Sequence, residues 1–510
     1  MAARIRPQDT RNRKIGRWTA ILLGLIVLSS VLVSGSMLTS NHGWGDDFAA
    51  YVMQAQSIVS GKMDEFVQRN TLTIEYSDGD VGPITAHWGF PLLLSPFYAV
   101  FGPNVLALKL VGTLCYACFL VVFFYLARSR LTDTESLLLT AVLAYNPVLL
   151  DAQNGILMDV PFMLFSTLAL LLMLQLEDEA QGGGLRPALV GLAIFAAAFT
   201  RLNGLLLFLP LLLIHVRQLR IAAADKVRLG AFPRGIGVPY AVFALCYMAQ
   251  MLVFPSVNLP LNRMLGEDWS GGLLGNLGYY LRLPVELFEF AGRVDSIIYA
   301  VLAAFFLVSL AAHWRRDAPV HVYLLATLAL YASYTSLQGL RYIFPILPLF
   351  LLLACDGMSV VRRSFPAHGR PRAAILFGAL WLGLAAFSLA ASVQAAWDNL
   401  ADGRTGPGGA AEAFSPDSTR MFEFIESSTP PSSVVIFFKP RAMHLITDRD
   451  SFRTGDCREL KHGDYVVLIK DPTARYQVPP DEAQTCHPAL RLIPVYDSNS
   501  FIAYQITSLR

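Results

Sequence analysis

The chain is short of charge, of cysteine and of internal repetition. Only 15% of its 510 residues are Asp, Glu, Lys or Arg, against 54% apolar, and the mean hydropathy is +0.48. That balance excludes a soluble globular protein of this length. A net charge of +2 leaves no basic surplus for a nucleic-acid partner. Six cysteines make no disulfide framework. Cys115 and Cys118 form a CxxC inside an apolar run, with no other Cys or His at metal-binding spacing, which reads as packing. Cys457 and Cys486 lie in the polar C-terminal region and could pair if that region is extracytoplasmic. No repeat is visible. Trp18 to Met37 is too long for a signal-peptide core and reads as a retained helix.

What the chain does have is apolar runs of roughly the 20 residues a bilayer core demands. Candidate spans fall at about 17–38, 104–127, 134–150, 159–176, 187–200, 203–216, 235–254, 295–313, 318–336, 341–361 and 372–396. Asn203-Gly204, beside Arg201, breaks what would otherwise be one helix from Ala188 to Ile214. With that break, Arg4, Arg6, Arg11, Arg13, Lys14 and Arg17, and each later basic cluster through Arg372, fall on one side. They make up 20 of the 40 Lys and Arg residues. The opposite loops before residue 397 hold only Lys62, Arg69, Arg201, Arg263, Arg282, Arg293 and Arg341. Without the break, every downstream cluster changes sides and violates the positive-inside rule. The expectation is a mainly α, polytopic membrane protein of about eleven spans, N-terminus cytoplasmic and C-terminus outside.

Two outer loops, about 39–90 and 255–294, are long. Asp47 to Ser60 carries Phe48, Tyr51, Val52, Ala55, Ile58 and Val59 at helical spacing, and Leu283, Leu287, Phe288 and Phe290 alternate with charge. Both predict helices lying in the membrane interface. Residues 1–16 form a basic cytoplasmic tail, 17–396 the membrane domain and 397–416 a Gly/Pro-rich linker. Residues 417–510 read as a small α/β extracytoplasmic domain, with a helix from Thr419 to Glu426 and strands at Val434–Phe438, Ala442–Thr447, Tyr465–Lys470, Leu490–Val495 and Phe501–Ile506.

The chemistry concentrates on the outer side. Gly45-Asp46-Asp47-Phe48-Ala49-Ala50-Tyr51 follows the first span at once. Adjacent carboxylates repel, so the pair suits a raised pKa or a bound cation, and either suits acid–base work. A helix N-cap accounts for one of them, not both. Asp159, in Met158-Asp159-Val160-Pro161-Phe162, is a standard helix start and also an acid at the membrane boundary. Arg201 and Arg341 at outer helix ends can snorkel, or together grip a phosphate in bidentate fashion. His87, in His87-Trp88-Gly89-Phe90-Pro91, reads equally as a loop histidine or a ligand. Tyr342 and Pro345 shape a kinked helix. Lys439 and Arg441 are expected on solvated surface.

These motifs, in this order over roughly residues 15–365, resemble the GT-C membrane glycosyltransferases. The likeness is to the branch holding protein O-mannosyltransferases and the lipid A aminoarabinose transferase. The motifs are Gly45-Asp46-Asp47-Phe48-Ala49-Ala50-Tyr51, Phe90-Pro91-Leu92, Met158-Asp159-Val160-Pro161-Phe162, Thr200-Arg201-Leu202-Asn203-Gly204 and Arg341-Tyr342-Ile343-Phe344-Pro345. The resemblance implies a polyprenyl- or dolichyl-phosphate-sugar donor, displacement with inversion, and a catalytic Asp in the first outer loop. The family pair is usually Asp-Glu with an aromatic four residues after the Asp. Counting back from Tyr51 selects Asp47; matching pair order selects Asp46. The basic residue that relatives carry before the Pro matching Pro91 is Phe90 here, with His87 as its nearest substitute.

Site expectations follow. Asp47 or Asp46 is the base; Arg201, Arg341 and His87 hold the donor phosphate; Asp159, Tyr51 and Tyr342 contact substrate. No cofactor is required, although Asp46, Asp47 and Asp159 could hold a divalent ion. The partners are the lipid-linked donor, a lipid, glycan or protein acceptor, and the bilayer, in a bacterial inner membrane. A transporter or flippase of a lipid-linked sugar is the alternative, and it calls for broken or acidic mid-membrane helices in two related halves. A scaffold for the outer domain has no use for these charges on one side.

Overall fold

The computed structural model describes residues 14–79, 81–178, 185–224, 233–255, 269–334, 337, 339–403, 412–471 and 474–508. Arg4, Arg6, Arg11, Arg13, Lys226, Arg228 and Arg263, and most of the 397–416 linker, lie outside them.

The fold is mainly α. The first half runs α1 (Arg17–Met37), α2 (Asp46–Ser60), α3 (Met63–Tyr76), α4 (Gly89–Phe101), α5 (Val105–Arg128), α6 (Asp133–Ala144), α7 (Pro147–Asp151), α8 (Asp159–Asp178) and α9 (Arg186–Thr200). After a 3-10 segment at Leu202–Leu207 come α10 (Phe208–Ala224), α11 (Pro233–Val253), α12 (Trp269–Arg282), α13 (Asp295–His313), α14 (Ala318–Ala332), α15 (Leu347–Ser364) and α16 (Arg370–Ala401).

Seven of the eleven expected spans are, among the described residues, helices long and apolar enough to cross a bilayer: α1, α5, α8, Leu202–Ile221, α11, Ala291–His313 and α16. The other four are shorter, broken or more charged. The expected span at 134–150 bends by 56° between α6 and Pro147–Asn154, where Asn146 caps α7 and Pro147 opens it. Helices α9 and α14 have 15 residues each, and α15 carries Asp356, Arg362 and Arg363. The spans differ in exposure as bilayer contact demands. Helix α8 is 78% buried within the fold, whereas α11 is 6% buried, so its apolar surface faces lipid.

Helix α2 is packed inside the protein rather than exposed along its apolar face. Ten of its 15 residues are buried, Gln54 and Ser57 among them. The cause is a second covering layer: α4 packs on one flank and the C-terminal domain on the other, so the apolar stripe read as membrane-facing is core. Leu283, Leu287 and Phe288, expected at the interface, are likewise buried.

The C-terminal domain comprises α17 (Pro416–Ser428), β1 (Val434–Phe437), α18 (Pro440–Thr447), β2 (Asp450–Phe452), β3 (Tyr465–Ile469), β4 (Leu490–Asp497) and β5 (Phe501–Ser508), with sheet order β2-β1-β3-β5-β4. Strand β1 pairs in parallel with β2 and β3, while β5 pairs antiparallel with β3 and β4. The expected strand at Ala442–Thr447 is instead helix α18: Pro440 occupies its first turn, and Ala442, Met443 and Thr447 bury one face. Cys457 and Cys486 are disulfide-bonded, with Cα atoms 5.5 Å apart. Replacing both with serine is expected to cost about 3–4 kcal/mol of domain stability for a loop of this length, read as a lower thermal midpoint of the purified chain.

Candidate active site

Residues 39–44 are pinned before the acid pair begins. Lys109 enters from the first turns of α5, fully buried, and donates to the carbonyls of Thr39 and Asn41 at 2.9 and 2.6 Å and to Asn154 Oδ1 at 2.7 Å. His42 stacks on Phe48 at 4.1 Å and accepts from the Ile156 amide through Nε2. Burial pushes its pKa down to about 4, so it holds the turn as a neutral ring. Trp44 then leaves the membrane domain. Its indole sits among Phe422, Phe437, Phe438 and Phe501, with centroids 5.2–6.3 Å away. Truncating it, Trp44→Ala, is expected to loosen the domain seam by about 3 kcal/mol, visible as faster hydrogen exchange in β1 and α2.

Gly45 is the N-cap of α2 without a side-chain cap bond, so Asp46 and Asp47 are its first two helical residues and neither carboxylate caps it. A helix advances 100° per residue, which turns the two away from each other. Asp46 is buried against the C-terminal domain: Arg453 Nη1 lies 3.7 Å from Oδ2, and Oδ1 has no hydrogen-bond partner. Burial raises its pKa, opposed by the charges of Lys439, Arg441 and Arg453. Asp47 is half-exposed and accepts from Arg341 Nη2 at 3.2 Å.

Beneath Asp47 the charges interlock. Arg201 ends α9 in extended conformation, is 6% exposed and pairs with Asp159 at the head of α8. Its guanidinium lies 4.2 Å from the Tyr342 ring centroid, and that of Arg341 lies 5.3 Å from the same centroid, so one aromatic ring meets both cations. Asn203 donates to Tyr331 Oη at 2.6 Å, and Tyr331 meets Tyr342 edge-on. The turn depends on Gly204, where a Cβ would stand 2.4 Å from the Ala198 amide nitrogen. Tyr51 packs edge-on to Phe90. Burial drives its phenol pKa well up, and Asp47, Asp159, Arg201 and Arg341 all act on it electrostatically. His87 is half-buried; burial first, and Arg201 second, push it down to about 4. It can donate a hydrogen bond to an anion but brings no charge.

Asp47, Tyr51, Asp159, Arg201, Arg341, Tyr342 and His87 therefore share one electrostatic neighbourhood, and Asp46 stands behind it. The three aspartates do not converge as a metal set: each faces its own arginine. Among the described residues the one trio at ligand spacing is His313, Asp317 and Asp356. It lies at the far ends of the helices, and Arg316 and Arg130 already occupy its carboxylates.

Arg441, expected on the surface, is 2% exposed. Its Nε donates to Asn70 Oδ1 at 3.0 Å and its Nη2 to the Pro83 carbonyl at 2.6 Å. The reason is that the first loop folds over α18 rather than over lipid. Lys439 is half-buried beside it. Sequence reading missed Arg453, Trp44 and Lys109. Only Lys109, a charge inside an apolar run, carried a signal that could have exposed it.

Comparison with known proteins agrees with this architecture. The sequence model of the dolichyl-phosphate-mannose-protein mannosyltransferases matches residues 86–232, a segment holding His87, Asp159 and Arg201. No curated protein matches the chain. The fold is similar to that of ArnT from Cupriavidus metallidurans bound to undecaprenyl phosphate: 14% identity, TM-score 0.61, covering 94% of this chain and 97% of that one. The apo state of the same ArnT gives a TM-score of 0.59 at 14% identity, covering 96% and 98%. The archaeal oligosaccharyltransferase AglB from Archaeoglobus fulgidus, in complex with an inhibitory peptide and a dolichol-phosphate, matches at 12% identity with TM-score 0.50, covering 89% and 70%. The chain shares the fold of these solved structures.

Proposed function

We propose that the protein is a membrane glycosyltransferase that moves a sugar from a polyprenyl-phosphate donor to an acceptor hydroxyl, with Asp47 as general base. The observation that carries this is the half-exposed Asp47 carboxylate, 3.2 Å from an arginine that shares the Tyr342 ring with the buried Arg201–Asp159 pair. Asp46 lies under the C-terminal domain, out of reach of an incoming hydroxyl. The solved neighbours hold undecaprenyl phosphate and dolichol-phosphate, which favours a lipid-linked phosphate as the donor here.

In this mechanism Arg341, the more exposed of the two arginines, turns from Asp47 to the donor phosphate and binds it in bidentate fashion. Arg201 stays locked to Asp159, supplies positive potential from below and holds Tyr342 in place. His87 donates a hydrogen bond at the rim. Asp47 takes the acceptor proton as the oxygen attacks the anomeric carbon. The carbon–oxygen bond to phosphate breaks, its electron pair leaves on the polyprenyl phosphate, and configuration inverts. The phosphate is a competent leaving group, so Asp47 and the arginines suffice for the step. The Cys457–Cys486 disulfide and the excess of basic residues at the other ends of the helices support an extracytoplasmic site in an inner membrane with the N-terminus in the cytoplasm.

Transfer assays with purified protein test the reading. Turnover is expected with a polyprenyl-phosphate sugar and absent with the corresponding nucleotide sugar. Turnover with the nucleotide sugar alone would overturn it.

A further inference from the structure

A compact cavity of about 110 Å³ opens at the far end of the helices from Asp47. Lys109, in the first turns of α5, holds the chain just ahead of the acid pair, and Arg128 closes the same helix. At 1.5 Å per residue, roughly 30 Å separate the two. The end of α5, the start of α6 and the end of α15 enclose the cavity. They bring Arg128, Arg130, Arg362 and Arg363 to a wall that holds two carboxylates, Asp133 and Glu135. Its volume is below the roughly 300 Å³ at which drug-sized sites begin, so it suits one compact group.

The carboxylates are already engaged. Asp133 accepts from Arg128 Nε at 2.8 Å and from the Thr19 hydroxyl at 3.5 Å. Glu135 accepts from Arg362 Nη1 at 2.9 Å, from Ser359 at 3.2 Å, and from the Thr132 amide and hydroxyl at 2.9 and 2.8 Å. Arg130 pairs at 3.1 Å with Asp317, outside the wall, which Arg316 also meets. One cation is left over. Among the described residues the exposed Arg363 guanidinium meets no acid, Arg362 uses only Nη1, and Arg128 leaves Nη1 without a hydrogen bond. The wall therefore offers donors and one positive charge beyond its ion pairs, but no spare carboxylate oxygen. A phosphodiester, with one negative charge and two acceptor oxygens, is the complement. An ammonium group would find no free acid.

The flanks of the cavity face lipid. Arg370, opening α16, donates to the carbonyls of Arg363 and Phe365 at 3.2 and 3.1 Å, which fixes that helix beside Arg363. Its next turns present Ile375 and Leu376, 71% and 66% exposed. On the other flank Thr19, bonded to Asp133, sits on α1 between the exposed Trp18 and Leu22, and tryptophan favours the membrane–water boundary. We infer that this pocket binds the phosphate of an anionic membrane phospholipid in the leaflet opposite Asp47, with Arg362 and Arg363 gripping the phosphodiester and the acyl chains lying along α16. Free phosphate offers the same oxygens; the apolar flanks select the lipid.

Native mass spectrometry of the full-length, detergent-purified chain tests this, with phosphatidylglycerol, phosphatidylcholine and inorganic phosphate as probes. Phosphatidylglycerol is expected to bind saturably, and phosphatidylcholine, which adds an ammonium, at least about tenfold more weakly. Arg363→Gln changes an exposed, unpaired side chain and should weaken phosphatidylglycerol by about tenfold, the worth of one charge-assisted hydrogen bond. Arg362→Lys keeps a charge against Glu135 but loses the planar fork, and should weaken binding too. Arg315→Gln alters an exposed arginine at the same end but outside the wall, and should bind as the parent does. Equal binding of the two lipids, an unaffected Arg363→Gln, or an equal loss in Arg315→Gln would overturn the site. Displacement of the lipid by inorganic phosphate at matched ionic strength would overturn the lipid assignment in favour of a free anion.

Discussion

Asp47→Asn is expected to lower sugar transfer by about 10²–10⁴-fold, the usual worth of a general base, with expression and thermal midpoint unchanged. The carboxylate is half-exposed and an amide of the same size fits its place, so little stability is at stake. Asp46→Asn is the contrasting variant. Its carboxylate is buried against Arg453 with one oxygen unpartnered, and neutralising it removes a desolvated charge as well as a loose ion pair. Transfer should fall only modestly, while the thermal midpoint shifts. If Asp46→Asn abolishes transfer and Asp47→Asn retains it, the two roles are reversed; full activity in both removes the acid pair from the mechanism.

The second large effect lies one layer down. Arg201→Leu would leave Asp159 as an unpaired carboxylate that is 4% exposed, and breaking a buried pair from one side costs about 3–5 kcal/mol. The same change strips Tyr342 of the cation closest to its face, so donor binding should weaken as well. The double variant Asp159→Leu/Arg201→Leu is expected to recover most of the stability and none of the activity. A pair that served stability alone would recover both. Thermal midpoints and donor KM across the four-member cycle separate these outcomes, because the coupling between contacting residues is what such a cycle isolates.

How far the sequence carried this reading depended on whether the signal was local. Span positions follow from runs of apolar residues, and the break at Arg201–Gly204 followed from one glycine and the placement of basic clusters; the structure shows that glycine against the Ala197–Ala198 backbone. Asp47, Asp159, Arg201, Arg341 and Tyr342 lie in one neighbourhood of the structure, and each stands at or beside the end of a helical segment, where sequence signals are local. The surroundings of Asp46 were not legible, since Arg453 is about four hundred residues away along the chain and nothing in either segment announces the other. The same long-range packing turned α2 from an expected surface helix into core, and carried Arg441 from expected solvent to full burial against Asn70 and Pro83. In α18, Pro440 was the overlooked mark of a helix start. Three of the doubtful spans share one cause: a bend or a short helix is stabilised by its neighbours, and hydropathy averaged along a single segment does not register neighbours; the fourth, α15, is set apart by its three charges.

The Trp44 indole bears on maturation as well as shape. Phe501, one wall of its seat, lies far later in the chain than Asp47. The membrane helices can insert in order, yet the loop carrying Asp47 cannot settle until the strand that holds Phe501 has been synthesised and has closed its part of the sheet. A nascent chain still short of that strand would thus sit in the bilayer with the Asp47 loop unordered, so that the proposed site takes shape late in synthesis.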